Sequence, residues 1–348
     1  MTTIYDVAKA AGVSPKTVSR VINGDAAVGQ QTRSKVETAI VDLGYVPSSA
    51  ARMMRSNRSG LIGLITGVIS KNPVEARGLP GIGIVQGIQA ALAETGLTLM
   101  IADTNGRADR VPGLLRTFLQ HRVEGLLYVA DYHQHVTMPP TPPNCPLVLV
   151  NCFDDAGTPS VLPDDRECQR ALVETMIAQG HRRIGFLTLA PGGIAADLRG
   201  KGYRDALAAA NIPFDPALVF PAYAPDQQPD SAQLIVSLDR LLRLPQPPTA
   251  ICCGKDSIAM AIYGVLRSRG VRVPEDMSIA GFDDYRVISE TLFPPLTTVA
   301  LPYHAMGKKA VECLRGAIGG KPAASTDAPI LVAGPVAWRS SVAAIRPA

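Results

Sequence analysis

The chain has 348 residues, 47% of them hydrophobic, with 34 basic and 30 acidic side chains for a formal charge of +4. That length suggests roughly two or three domains, and no run of about 18 apolar residues is present to span a bilayer, so no membrane partner is expected. Tyr5, Asp6 and Lys9 stand where an export signal needs an apolar stretch, and the six cysteines (145, 152, 168, 252, 253 and 313) show neither zinc nor disulfide spacing. A reducing, cytoplasmic setting without metal or cofactor is the expectation. Residues 1–60 hold eight basic and four acidic side chains and so carry all of the +4, while the remainder is balanced at 26 of each. A local basic excess is the electrostatic footprint of a phosphate-binding unit.

In chain order, Ile4, Val7 and Ala8 recur at helical spacing, and Ala11-Gly12-Val13 supplies a tight turn in which Gly12 is free to take a positive φ. Ser14-Pro15 then starts a second helix, with serine as cap and proline at the first helical position. That helix, Pro15 to Ile22, turns Val18, Val21 and Ile22 inward and leaves Lys16, Thr17, Ser19 and Arg20 outside. A short basic helix after such a turn predicts a helix-turn-helix that enters the DNA major groove. Thr32 is expected to cap a third helix running to Leu43 and ended by Gly44. Ser48 to Arg55 forms a short helical stretch, too short to be stable alone and therefore expected to fold only when docked.

From Leu61 the pattern changes to alternating strands and helices. Strands are expected at Leu61–Thr66, Leu97–Ala102, Gly125–Ala130, Leu147–Val150, Ile184–Leu189, Thr249–Cys253 and Met277–Gly281. Helices are expected at Ile82–Thr95, Val111–His121, Asp165–Gln179, Arg199–Ala210, Ser231–Leu242 and Asp256–Arg269. Such alternation predicts two parallel α/β sheets, with a small molecule bound at the carboxyl ends of their strands.

The stretches TIYDVAKAAGVSPKTVSRVING, TRSKVETAIVDLGYVPSSAAR, GHRRIGFL, GYRDALAAA and IAGFDDY with PPLTTV resemble, in order and over essentially the whole chain, the lactose-repressor (LacI/GalR) family. The resemblance implies an all-α helix-turn-helix headpiece (1–47), a hinge helix and linker (48–59), and a two-lobed α/β core like periplasmic sugar-binding proteins (60–348). The first lobe is expected at about 60–153 plus 294–318, the second at about 154–293 plus 319–348. It implies that Pro15, Lys16 and Arg20 read bases; Arg20 has two donors for guanine O6 and N7, whereas Pro15 offers only apolar contact. Thr17, Ser19, Asn23 and Thr32 suit phosphates. Ala51 and Met54 belong to the minor-groove hinge, where methionine stands in place of the family's leucine wedge, with packing between hinge helices as the alternative. A paired hinge implies a homodimer on a palindromic double-stranded operator, and a dimer is favoured because no tetramerisation heptad follows Trp338.

For the effector, the resemblance points to Arg199, Asp256 and Asp283, with Tyr223 a candidate for stacking on a sugar and Asn72 in the loop after the first strand. The family's Asn-Asp turn reads Lys255-Asp256 here. An ammonium near a closed cleft needs a counter-charge, supplied by Asp256, by Asp283, or by an anionic effector. Asp103, Asp131, Tyr132 and His133 at strand ends are further candidates to line the cleft, a solvated loop being the equal alternative. Other motifs fail: Gly81, Gly83 and Gly87 lack the spacing and preceding strand of a dinucleotide loop, and His133 with His135 lacks a third metal ligand. The expected function is an effector-controlled, sequence-specific DNA-binding regulator, a repressor of a carbohydrate-utilisation operon. The competing classes are a regulator answering to a sugar acid or phosphate, and a sugar-binding receptor, against which the basic N-terminus speaks. An enzyme finds no catalytic constellation.

Overall fold

The structure, a computed structural model, describes residues 2–46, 58–67, 69, 80–223, 231–320 and 328–345. The chain divides into two compact units, Met1–Gly60 and Leu61–Ala348. The expected hinge positions Ala51 and Met54, and the loop residue Asn72, lie outside the described residues.

The first unit contains helices α1 (Ile4–Ala11), α2 (Pro15–Ile22) and α3 (Gln30–Asp42). Thr3 and Asp6 cap α1 reciprocally: the Thr3 hydroxyl accepts from the Asp6 N–H, and the Asp6 carboxylate accepts from the Thr3 N–H at 2.9 Å. Gly12, at φ 67°, closes α1 in the left-handed conformation, and Ser14 Oγ accepts the Thr17 N–H at 3.2 Å to start α2. Thr32 is not a cap. Helix α3 begins three residues earlier, with Gly29 at the cap position and no side-chain cap bond, because Gln30 and Gln31 are adequate helix formers. Val7, Ala8, Val18, Val21, Val36 and Ala39 fill the centre.

The second unit holds, in chain order, strands β1 (Leu61–Thr66), β2 (Thr98–Asp103), β3 (Gly125–His135), β4 (Leu147–Phe153), β5 (Ser160–Pro163), β6 (Ile184–Thr188), β7 (Val219–Pro221), β8 (Ala250–Cys253), β9 (Ser278–Ala280), β10 (Thr298–Val299), β11 (Ile330–Val332) and β12 (Val336–Ala337). Its helices are α4 (Pro80–Leu92), α5 (Val111–Gln120), α6 (Asp165–Ala178), α7 (Ile194–Ala209), α8 (Ser231–Leu242), α9 (Asp256–Ser268), α10 (Arg286–Ser289) and α11 (Tyr303–Ile318). One parallel sheet has the order β11-β5-β4-β3-β1-β2, the other β7-β6-β8-β9. The apolar runs of β1 and β4 are buried almost throughout, as strands covered on both faces must be. In each sheet the strand order reverses beside the first strand of its lobe, the switch point outside which α/β sheets bind ligands.

Two short strands shift the lobe boundaries. Both β5 and β11 pair in the first sheet, so the first lobe runs to Pro163 rather than to about 153 and reclaims the chain up to Val332. Residues 297–300 bridge to Ala280 and Asp283 and so belong with the second sheet, which places that crossing after Ala300 rather than near 294. Strands of four and three residues carry too little periodicity to register in the sequence. The glycines considered for a dinucleotide loop sit in α4, where Gly87 faces the backbone of His304 so closely that a β-carbon would overlap it. Gly83 and Gly87 serve the close packing of α4 on α11.

Candidate nucleic-acid interface and effector cleft

On α2, Lys16 and Arg20 are exposed, and Pro15, Thr17 and Ser19 are half-buried. Residues four apart share a helix face, so the two cations project together. Arg20 Nε lies 3.6 Å from the Asp25 carboxylate, and Arg33 Nη2 donates to the Asp25 carbonyl at 2.8 Å. An exposed pair of this kind is weak and leaves Arg20 exchangeable. Thr17 and Ser14 share a hydroxyl hydrogen bond of 2.9 Å, and Asn23 Nδ2 donates to the Ser19 carbonyl at 2.7 Å. Thr32 is half-buried in the first turn of α3.

In the core, α7 begins at Ile194, so Arg199 lies in its second turn rather than at its start. The Arg199 side chain is 7% exposed and is held from three sides. Its Nε donates to Asp165 Oδ1 at 2.8 Å, its Nη1 to the Gly254 carbonyl at 2.6 Å, and its guanidinium lies 3.7 Å from the Phe282 ring centroid. Its Nη1 is also 3.9 Å from Asp283 Oδ1. Among the described residues no hydrogen bond reaches Nη2 or the Asp283 carboxylate. Asp283 follows β9 with φ 125°, a conformation that persists only where the surroundings impose it. Burial pushes its carboxyl up to about 6, against the pull of Arg199 and Lys255.

Asp256 is turned the other way. It is fully buried and accepts from Thr298 Oγ1 at 2.6 Å and from the Tyr285 N–H at 2.8 Å. Burial and the Asp283 charge push it up to about 7. Its carboxylate occupies the place a β-carbon on residue 281 would need, which makes Gly281 obligatory. Lys255 is half-buried, and among the described residues it forms no ion pair with Asp256 or Asp283, one of the two counter-charge arrangements expected. Lys255, Asp256 and Asp283 line a cavity of about 450 Å³ together with Gln86 of α4 and Tyr303 of α11. Tyr223 is not in that wall; it is partly buried against the core of the second sheet.

Several residues at the cleft escape a reading of the sequence. Asp165 looks like an ordinary acidic residue in a first helical turn, and Tyr303 and Gln86 like amphipathic helix positions. Asn151 carries a signal, a polar residue inside the apolar run of β4; it is buried at φ 62° and donates to the Ala130 carbonyl at 3.2 Å.

A basic three-helix unit with an exposed second helix, followed by a two-lobed α/β core with a polar cleft, defines a ligand-controlled DNA-binding transcription regulator. Residues 3–48 match the model of the bacterial regulatory proteins of the lacI family, and residues 173–342 that of the periplasmic binding protein-like domain. The chain is 31% identical to the ribose operon repressor of Haemophilus influenzae, over 90% of this chain and 91% of that protein. It is 32% identical to the HTH-type transcriptional repressor PurR of Aliivibrio salmonicida, with the same coverage. The lac repressor dimer bound to operator and the anti-inducer ONPF superposes with a TM-score of 0.73 at 25% identity, over 99% of each chain. The chain belongs to the LacI family, and these relatives are transcriptional repressors rather than enzymes.

Proposed function

We propose that this regulator is a cytoplasmic homodimer that represses a carbohydrate-utilisation operon from a palindromic operator and answers to a small sugar or sugar derivative. On DNA, Lys16 and Arg20 read base edges, Pro15 adds apolar contact, and Thr17, Ser19, Asn23 and Thr32 meet phosphates, while Ala51 and Met54 act at the minor groove. The observation that carries the effector reading is the pairing of an open acceptor, the Asp283 carboxylate, with an open donor, Arg199 Nη2, on two groups within 3.9 Å of each other. Adjacent hydroxyls on a sugar ring satisfy such a pair, one donating and one accepting. The name of the Haemophilus influenzae relative makes ribose the first candidate. Ligand that prefers one arrangement of the lobes then shifts the population and, through the hinges, the affinity for operator.

A second reading concerns Lys255. An ammonium in the cavity wall without an ion-pair partner among the described residues suits an anionic effector, a sugar acid or phosphate. Thermal-shift measurements on the full chain separate the two, with D-ribose and other neutral saccharides set against sugar acids and sugar phosphates. A ligand at about 100 times its dissociation constant adds roughly 2.7 kcal/mol of stability. Stabilisation by neutral sugars supports the first reading; stabilisation confined to anions and lost in Lys255→Asn supports the second. No stabilisation by any of these compounds, with Asp283→Asn indistinguishable from the parent chain, would place the effector outside the carbohydrates.

A further inference from the structure

Asp165 is the first residue of α6, immediately after the chain leaves β5 for the second lobe, and its side chain is 1% exposed. Its Oδ1 accepts from Arg199 Nε at 2.8 Å, and its Oδ2 lies 3.0 Å from His133 Nδ1. His133 belongs to β3 of the first lobe, with its side chain 4% exposed. Burial pushes the Asp165 carboxyl up, but the Arg199 guanidinium and the His133 hydrogen bond outweigh it and hold the group below the ordinary carboxylate range. The group is therefore ionised at neutral pH, an acceptor only, so Nδ1 carries the hydrogen. The His133 ring stands edge-on to Phe153, 6.1 Å between centroids.

One carboxylate thus grips the second lobe's Arg199 with one oxygen and the first lobe with the other. Beside it the lobes face each other across a cavity of about 610 Å³ with largely apolar walls, including Phe153 and Leu162 from the first lobe and Ile194 and Leu198 from the second. Apolar walls attract without direction, whereas a charge-assisted hydrogen bond between two groups withdrawn from water fixes both distance and orientation.

We propose that His133, Asp165 and Arg199 form an interlobe latch in which Asp165 is the positioning residue, tying the orientation of Arg199 to closure of the cleft. When the lobes separate, Asp165 loses His133 but keeps Arg199, so the carboxylate that aims Arg199 is held from both sides only in the closed arrangement. The link to the effector rests on the reading of Arg199 given above; the latch itself does not.

The test needs no effector. Spin labels on Arg116→Cys, exposed on α5, and Lys201→Cys, exposed on α7, report the interlobe distance by double electron–electron resonance. The full-length labelled protein is mixed with excess unlabelled protein so that each dimer carries one labelled chain. The parent chain should give one narrow distance. His133→Phe keeps the ring against Phe153 but removes both nitrogens, and should raise the open-to-closed ratio by roughly tenfold, as expected for a hydrogen bond to a charged group. His133→Gln retains an N–H and should stay closed. Asp165→Asn, which removes the charge both donors need, is the independent variant and should also open. Unchanged distances in a folded His133→Phe or Asp165→Asn protein overturn the latch, as does equal opening in His133→Gln. A purely structural role lowers the melting temperature in these variants without moving the distance, and that outcome overturns it too. A negative effector screen leaves these distances untouched, so the two readings fail separately.

Discussion

The headpiece fills its centre with six buried side chains, none larger than valine, whereas the core unit packs four separate clusters whose buried members include Ile62, Phe186, Tyr203 and Phe118. A unit of this size with so little apolar volume is only marginally stable. Its helices therefore depend on their ends: the Thr3–Asp6 box, Gly12 in the left-handed conformation and the Ser14 cap. The core is stable enough to carry local penalties, and it carries them at the cleft, in the φ of 125° at Asp283 and the undonated carboxylate beside Arg199. Sequence-local chemistry builds the DNA-binding part, and long-range packing supports a strained ligand-binding part.

The most severe way to break this division of labour is to separate the units. A chain beginning at residue 61 should lose operator binding entirely in a gel-shift assay while keeping its effector-dependent thermal shift; retained DNA binding would refute the headpiece assignment. Next in size, Arg199→Ala leaves the buried Asp165 carboxylate without its cation, with His133 as its remaining partner. Its unfolding in urea should show a loss of about 3–5 kcal/mol, together with loss of the effector response, and near-parental stability would mean that His133 alone suffices to hold the Asp165 charge. Asp283→Asn should separate stability from function. Burial lifts its carboxyl from 3.8 to about 6, so between those values the native state holds a proton that the unfolded chain gives up. Stability contributed by this group is thus full at low pH and falls as pH rises through about 6. The asparagine variant should melt above the parent at pH 8 by up to ~3 kcal/mol, converge with it near pH 4 and no longer respond to effector.

In the headpiece the expected effects are smaller. Arg20→Ala should cost about 1–3 kcal/mol on operator and much less on random duplex; equal losses in fluorescence anisotropy would assign Arg20 to phosphate. Thr3→Ala, which dismantles the capping box, should cost about 1 kcal/mol. In the isolated headpiece that loss should appear as a drop in helical circular dichroism, while the core's melting transition stays where it was.

The contrast between the units also explains what could be read in advance. The boundaries of α2, β1 and α8 follow directly from Ser14-Pro15, from the apolar run at Leu61 and from the periodicity after Ser231. These are local signals, and each sits inside the segment it specifies. The cleft is half legible: Lys255, Asp256 and Asp283 line one cavity, and Arg199 lies behind that wall, 3.9 Å from Asp283. The sequence gives no hint, however, that Asp256 faces inward to Thr298, 42 positions away. Nor does it pair Asp165 with His133 and Arg199, 32 and 34 positions distant, since only the sheet topology brings them together. Thr32 and the start of α7 were misplaced because Gly29 and Gly193, which hold the cap positions, offer no side-chain signal.

The chain passes between the lobes three times, after Pro163, after Ala300 and after Val332, and the passages are laced together. The Asp164 N–H donates to the Val332 carbonyl at 2.9 Å, the Ala300 N–H donates to the Pro335 carbonyl at 2.9 Å, and Gly334 lies so close to the Ala300 carbonyl that no side chain fits between them. Three laced passages make a poor universal joint and a good door hinge. Sliding and twisting would tear the lacing, and swinging about the line of the passages would not. With one permitted axis, whatever fills the cleft can deliver only more or less of the same rotation of one lobe against the other. Differences between ligands are then differences of degree along a single mechanical coordinate.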